Sequence, residues 1–147
     1  MNFELKPNDN IFIAGASGMV GSSIKREFLR LGYREHGNIG RILTPSRKNL
    51  DLLNFVEVSN FFKKYNPTIV IVAAAKVGGI IANFENPYDF VLQNLKIQNN
   101  LIEIAWKNNI RKLLFLGSSC IYPKFAKQPI KEEFLLSDKL EPTNEYY

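Results

Sequence analysis

Short uninterrupted apolar runs alternate along this chain with stretches whose apolar residues recur every three or four positions. Ile11-Phe12-Ile13-Ala14, closed by Gly15, is a run of the first kind and predicts a strand buried on both faces. From Met19 the spacing changes. Val20, Ile24, Phe28 and Leu31 form one helical face, and Gly32 stands where such a helix stops. After a loop at Gly37 to Gly40, residues 41–44 predict a second short strand closed by Pro45. Phe55, Val58, Phe62 and Tyr65 predict a second helix ending at Asn66-Pro67. Residues 68–75 give the strongest strand signal, with a β-branched core at Ile69–Val72. Pro87 suits the first turn of a third helix, whose inner face is expected at Val91, Leu95, Ile102 and Ala105 and whose end lies near Asn108-Asn109. Residues 112–116, closed by Gly117, predict a fourth strand. Residues 123–147 read as a long surface excursion, with one or two helical turns in the weakly amphipathic stretch 130–140.

Strand and helix alternating in this way predict an α/β fold, a Rossmann-like parallel sheet with helices on both faces. A complete doubly wound sheet has about six strands, so a chain with four reads as the first part of a larger domain. Residues 113–116 would then show an uncovered apolar edge, which favours self-association. Composition agrees with a soluble globular domain: of 147 residues, 46% are hydrophobic and 22% charged. The apolar runs are too short to span a bilayer and no leader pattern opens the chain, so no membrane partner and a cytoplasmic location are expected. One cysteine and one histidine give neither an internal disulfide nor a zinc site. The net charge of +5 favours an anionic partner, nucleic acid or a nucleotide-sugar, but the basic residues are scattered and the charge is a weak clue. No nucleic-acid partner is expected, because the glycine turn at residues 15–21 already accounts for an anionic ligand.

Gly15-Ala16-Ser17-Gly18-Met19-Val20-Gly21 places three glycines between a predicted strand and a predicted helix. Gly15 would make the tight turn, Gly18 would let backbone approach a pyrophosphate, and Gly21 would let the helix pack closely. The first N–H groups of the helix, around Met19 and Val20, would face the phosphates. The second strand leads to Arg47 rather than to a carboxylate. Arginine's planar fork suits a 2′-phosphate, so NADP is expected rather than NAD; the bland reading of Arg47 is a solvated basic loop. Asp51 either accepts from an adenine amino group or caps the next helix. Ala74 and Ala75 would let a cofactor lie across the strand ends, with Lys76 reaching a phosphate or solvent and Gly78-Gly79 giving a flexible loop.

Ser118 and Ser119 stand just past the fourth strand, and a hydroxyl there can hydrogen-bond a substrate carbonyl. Tyr147 could supply the proton, although a free phenol has a pKa of about 10 and needs a neighbouring cation. Cys120 is either a small apolar filler or a thiol that exchanges a proton beside a carbonyl.

Residues 15–21, 73–80 (Ala-Ala-Ala-Lys-Val-Gly-Gly-Ile), 114–124 (Leu-Phe-Leu-Gly-Ser-Ser-Cys-Ile-Tyr-Pro-Lys) and 141–147 (Glu-Pro-Thr-Asn-Glu-Tyr-Tyr) together resemble the GDP-L-fucose synthases. These are nucleotide-sugar enzymes of the extended short-chain dehydrogenase/reductase family, within the NAD-dependent epimerases and dehydratases. The glycine turn is common to that superfamily, whereas the Lys-Val-Gly-Gly and Ser-Ser-Cys-Ile-Tyr-Pro-Lys segments are specific. The resemblance implies conversion of GDP-4-keto-6-deoxy-D-mannose to GDP-L-fucose, by epimerisation at C3 and C5 and then reduction at C4 by NADPH. It implies that Ser118 binds the C4 oxygen, Tyr147 protonates it, and Cys120 acts in the epimerisation. It also implies a homodimer when the protein is whole.

This sequence departs from the pattern in several ways. Ser17 stands where an arginine often helps hold the 2′-phosphate, and Tyr146 where a proline usually precedes the tyrosine. The family's lysine, its later histidine and its substrate domain have no counterpart in these 147 residues. The chain is thus expected to be the amino-terminal part of an NAD(P)-binding Rossmann domain, inactive by itself. A non-catalytic dinucleotide-binding or scaffold fragment, or another nucleotide-sugar epimerase or dehydratase, is the alternative.

Overall fold

In the computed structural model, residues 4–37, 40–143 and 145 are described. The chain divides into two units, one formed by Met1–Ala75 with Lys96–Leu116 and the other by Lys76–Leu95 with Gly117–Tyr147.

The first unit is a four-stranded parallel sheet in the order β2-β1-β3-β4, built from β1 (Ile11–Ala14), β2 (Ile42–Leu43), β3 (Ile69–Val72) and β4 (Lys112–Phe115). The strands are interleaved with α1 (Met19–Arg30), α2 (Phe55–Tyr65) and α4 (Pro87–Lys107), the last shared with the second unit. Every residue of β1 and β3 is buried. Alternation divides their side chains between two faces. Phe12, Ala14, Val70 and Val72 join Val58 and Phe62 of α2 and Leu101, Ile104 and Ala105 of α4. Ile11, Ile13, Ile69 and Ile71 meet Ile24 and Phe28 of α1 on the opposite face. This is the Rossmann-like arrangement that the apolar runs predict.

Three local features set the helix ends. Asn54 caps α2, its side-chain oxygen accepting from the N–H groups of Val56 and Glu57. Gly32, at φ +93°, closes α1: it donates to the Leu29 carbonyl, and Tyr33 donates to that of Phe28. Asn109, at φ +51°, closes α4 in the same way, with Asn109 donating to Trp106 and Ile110 to Ala105.

The structure differs from the sequence pattern at five places. β3 spans Ile69–Val72 rather than residues 68–75, its ladders with β1 and β4 ending at Val72. β2 spans two residues instead of four, because Arg41 pairs separately with Arg34 and the Pro45 nitrogen cannot donate to a ladder. On α1 the inner face is Gly21, Ile24 and Phe28, while Val20 and Leu31 are 47% and 50% exposed. On α4 the inward residues are Phe90, Leu101, Ile104 and Ala105, while Leu95 and Ile102 are 47% and 44% exposed. That helix carries apolar residues all around, so its own spacing does not select a face. Finally, a short helix α3 (Ile80–Glu85) occupies a stretch with no predicted element.

β4 lies at the sheet edge, with Leu114 and Phe115 at 44% and 41% exposure. In the second unit, α3 and the start of α4 accompany two single 3-10 turns, Ser119–Ile121 and Glu132–Phe134. The latter is the one short helical turn among the described residues of the excursion. Among the described residues no helix is long and apolar enough to cross a membrane.

Candidate functional site

The sheet order places a topological switch between β1 and β3. From β1 the chain passes to β2 on one side, then returns to β3 on the other. Open α/β sheets bind ligands in the crevice beyond the carboxyl ends of such strands. Two turns meet there. Gly15, at φ +81°, turns the chain out of β1 so closely against the turn after β3 that a Cβ would lie 2.5 Å from the Ala73 carbonyl oxygen. Gly21, inside α1, comes so close to that turn that a Cβ would sit 2.2 Å from the Gly15 carbonyl oxygen. Gly18 is the N-cap of α1, is exposed and offers no capping side chain. The first turn of α1 carries no acidic residue. Its leading N–H groups and the positive end of the helix dipole therefore favour an anion, and the residues present fit a pyrophosphate.

Around this turn, Ser17, Met19 and Val20 are exposed, Ala74 is half-buried and Ala75 is exposed. Arg47 lies in an exposed turn after β2. Asp51 is half-buried and its carboxylate accepts from the Leu53 N–H at 3.0 Å. The alternative role of Asp51 as helix cap is corrected: Asn54 takes that position, and the Asp51 N–H instead donates to Glu57 at 3.1 Å.

The second unit holds the other candidate residues. Ser118 caps the 3-10 turn Ser119–Ile121, its Oγ accepting from the Cys120 N–H at 3.1 Å. The hydroxyl hydrogen of Ser118 is left to donate elsewhere. Cys120 is half-buried and forms no disulfide. Tyr147 lies outside the described residues.

Lys76, expected to reach either a phosphate or solvent, is partly exposed beside an acidic and an aromatic side chain. Its Nζ lies 3.5 Å from the Asp89 carboxylate and 5.4 Å from the centre of the Phe90 ring. The glycines beside it are held in place. Asn83 donates to the carbonyls of Gly78 and Gly79 at 3.0 and 3.1 Å, and Gly78 packs on the Phe90 ring. Asn94 accepts from the Lys76 N–H at 2.7 Å and donates to its carbonyl at 3.0 Å. Sequence reasoning did not single out Asn83 and Asn94. Their signal was present, as amides set among the apolar positions of two helices.

A parallel sheet with a glycine turn into a helix at its switch point is the architecture of the Rossmann-type nucleotide-binding proteins. The chain belongs to the NAD dependent epimerase/dehydratase family, whose profile matches residues 11–147. It is 50% identical over 137 residues to GDP-L-fucose synthase 1 of Arabidopsis thaliana, covering 93% of this chain and 41% of that protein. The GDP-L-fucose synthase of Escherichia coli K12 matches with the same identity and coverage. Among solved structures, the GDP-mannoheptose C4 reductase of Campylobacter jejuni with NADP bound is similar at a TM-score of 0.86 and 36% identity, over 95% of this chain and 40% of that one. The chain therefore spans about two-fifths of the length of these relatives.

Proposed function

We propose that these residues are the amino-terminal, dinucleotide-binding part of an enzyme that makes GDP-L-fucose from GDP-4-keto-6-deoxy-D-mannose. The observation that carries this reading is the glycine turn. Gly15 and Gly21 are packed too closely for side chains, and they aim an uncapped helix end at the crevice between β1 and β3. Half-identity to proteins bearing the name GDP-L-fucose synthase supports the substrate, and the NADP-bound heptose reductase supports the cofactor.

NADPH supplies the hydride that reduces the C4 ketone. The turn from Gly15 to Gly21 receives its pyrophosphate, with Ser17, Met19 and Val20 lining the approach. Arg47 would pair with the 2′-phosphate, Asp51 would accept from the adenine amino group, and Ala74 and Ala75 would leave room across the strand ends. Ser118 gives its free hydroxyl hydrogen to the C4 oxygen while its own oxygen stays on the Cys120 N–H. The C4 ketone acidifies the neighbouring C–H bonds, so that the Cys120 thiol can exchange a proton there. Tyr147 hands a proton to the C4 oxygen. The whole protein, isomerase and oxidoreductase in one, works as a cytoplasmic homodimer, and these 147 residues alone do not reduce the keto-sugar.

Titration of the chain with NADPH tests the first half of the reading and should show saturable binding; absence of binding overturns the dinucleotide site. Assay of the whole protein with NADPH and the GDP-4-keto-sugar tests the second half. Binding without formation of GDP-L-fucose would favour another nucleotide-sugar epimerase or dehydratase.

A further inference from the structure

Residues 123–141 leave the turn that carries Ser118 and Cys120 and run on towards Tyr147, with one 3-10 turn between. Apolar packing does little to hold this excursion, for Phe125 and Leu136 are 85% and 84% exposed. What joins its ends is polar. The Lys124 N–H donates to the Lys139 carbonyl at 3.1 Å, and Lys124 Nζ lies 2.7 Å from Glu141 Oε2. The second oxygen, Oε1, accepts from the Thr143 N–H at 3.3 Å and from the Thr143 hydroxyl at 3.1 Å. One carboxylate thereby ties Lys124 to Thr143. The hydrogen bond from Lys124 holds the Glu141 carboxyl below its usual range. Pro123, which is buried, and Pro142 stiffen the backbone beside each half of the pair.

Resting on the function proposed above, we infer that Lys124 and Glu141 are positioning residues, a clasp that sets how the segment bearing Tyr147 approaches the turn bearing Ser118 and Cys120. Along the sequence, Cys120 precedes Lys124 by four positions and Tyr147 follows Thr143 by four. A flexible chain of the same length as the excursion would keep its ends roughly 20 Å apart on average. With side chains 43% and 32% exposed, the pair adds little to global stability. Its effect is geometric. Proton transfer from a phenol needs a donor within about 3 Å, and a misplacement of about 1 Å costs roughly 100-fold in rate.

The test uses the whole enzyme carrying this chain, with NADPH and the GDP-4-keto-6-deoxyhexose, and compares Lys124→Met, Glu141→Gln and Lys124→Arg. The first two should lower kcat for ketone reduction roughly 10- to 100-fold, with KM for NADPH and the thermal midpoint unchanged. Lys124→Arg keeps the ion pair and should restore most of the rate. Unchanged kcat in the first two variants overturns the clasp. A loss of rate that accompanies a fallen thermal midpoint and is not restored by Lys124→Arg overturns it as well. If the wild-type enzyme does not turn over the keto-sugar, the functional reading fails instead. Amide exchange of the chain then decides the clasp: protection of the Lys124 and Thr143 N–H groups that is lost in Glu141→Ala supports it, and equal exchange in the two proteins overturns it.

Discussion

Replacing Gly21 by alanine separates helix propensity from tertiary packing. Gly21 lies inside α1, where alanine is intrinsically favoured over glycine by about 1 kcal/mol. Propensity alone therefore predicts a more stable protein. The structure predicts the reverse. A Cβ at position 21 would lie 2.2 Å from the Gly15 carbonyl oxygen, 2.7 Å from its carbon and 2.9 Å from the Ala16 Cα. All three are backbone atoms, so no rotamer change relieves the overlap. Either α1 or the turn after β1 must move. Overpacking of this severity costs about 3 kcal/mol, leaving a net loss of about 2 kcal/mol after the propensity gain. For a chain of this length that is a fall of roughly 6 °C in thermal midpoint. Far-UV circular dichroism melts of Gly21→Ala would show it, with Ser23→Ala at an exposed position of the same helix as a control that should stay near wild type. The same displacement should weaken NADPH binding. A Gly21→Ala chain as stable as wild type or more so would refute the close packing of α1 on the glycine turn.

Three further outcomes follow from other parts of the chain. The Asp9 side chain, 3% exposed, accepts from the Lys6 N–H, the Thr68 hydroxyl and Arg111. Burial pushes its pKa up, but these donors together hold it below the ordinary 3.8. The resulting stabilisation is complete above that ordinary value and is withdrawn as pH falls through the lower folded one. Asp9→Asn should cost about 2 kcal/mol at neutral pH and flatten the acid limb in urea melts taken from pH 7 down to about 3; an unchanged acid limb contradicts this. Asn54→Ala removes the cap of α2 and should cost about 1 kcal/mol, read from the same melts, with no loss if the cap is unimportant. Arg47→Ala should reduce the preference for NADPH over NADH roughly tenfold, measured by titration of both; an unaltered ratio removes Arg47 from the 2′-phosphate.

The most legible parts of the sequence were those whose shape is set by neighbours along the chain. Ile11–Ala14 is apolar at every position, so it reads as a strand covered on both sides whatever lies above and below it. Gly15, Gly18 and Gly21 announce a turn into a helix because few other arrangements use three missing side chains at that spacing. The helix ends at Gly32 and Asn66 were visible for the same local reason. Less legible was whatever rests on contacts between distant residues. The placement of Gly15 against Ala73 depends on a crossover that brings residues 58 apart in sequence together, and only the strand order supplies it.

Helix α4 shows most clearly what the sequence left open. Apolar residues surround it, so Leu95 and Ile102 compete with Leu101 and Ile104 for the inward face, and packing against β1, β3 and α2 decides in favour of the latter. Polar residues are equally ambiguous: Asn94, which the sequence does not single out, bonds to the backbone of Lys76, and Lys76, open in the sequence between phosphate and solvent, lies beside Asp89 and Phe90. The sequence by itself determined the order of the strands and of the three long helices and the glycine turn, because backbone sterics and apolar spacing act over a few residues. The tertiary structure decided the inward face of each helix and the partner of each charge. A side chain's burial and hydrogen bonds depend on which distant segment the fold brings against it.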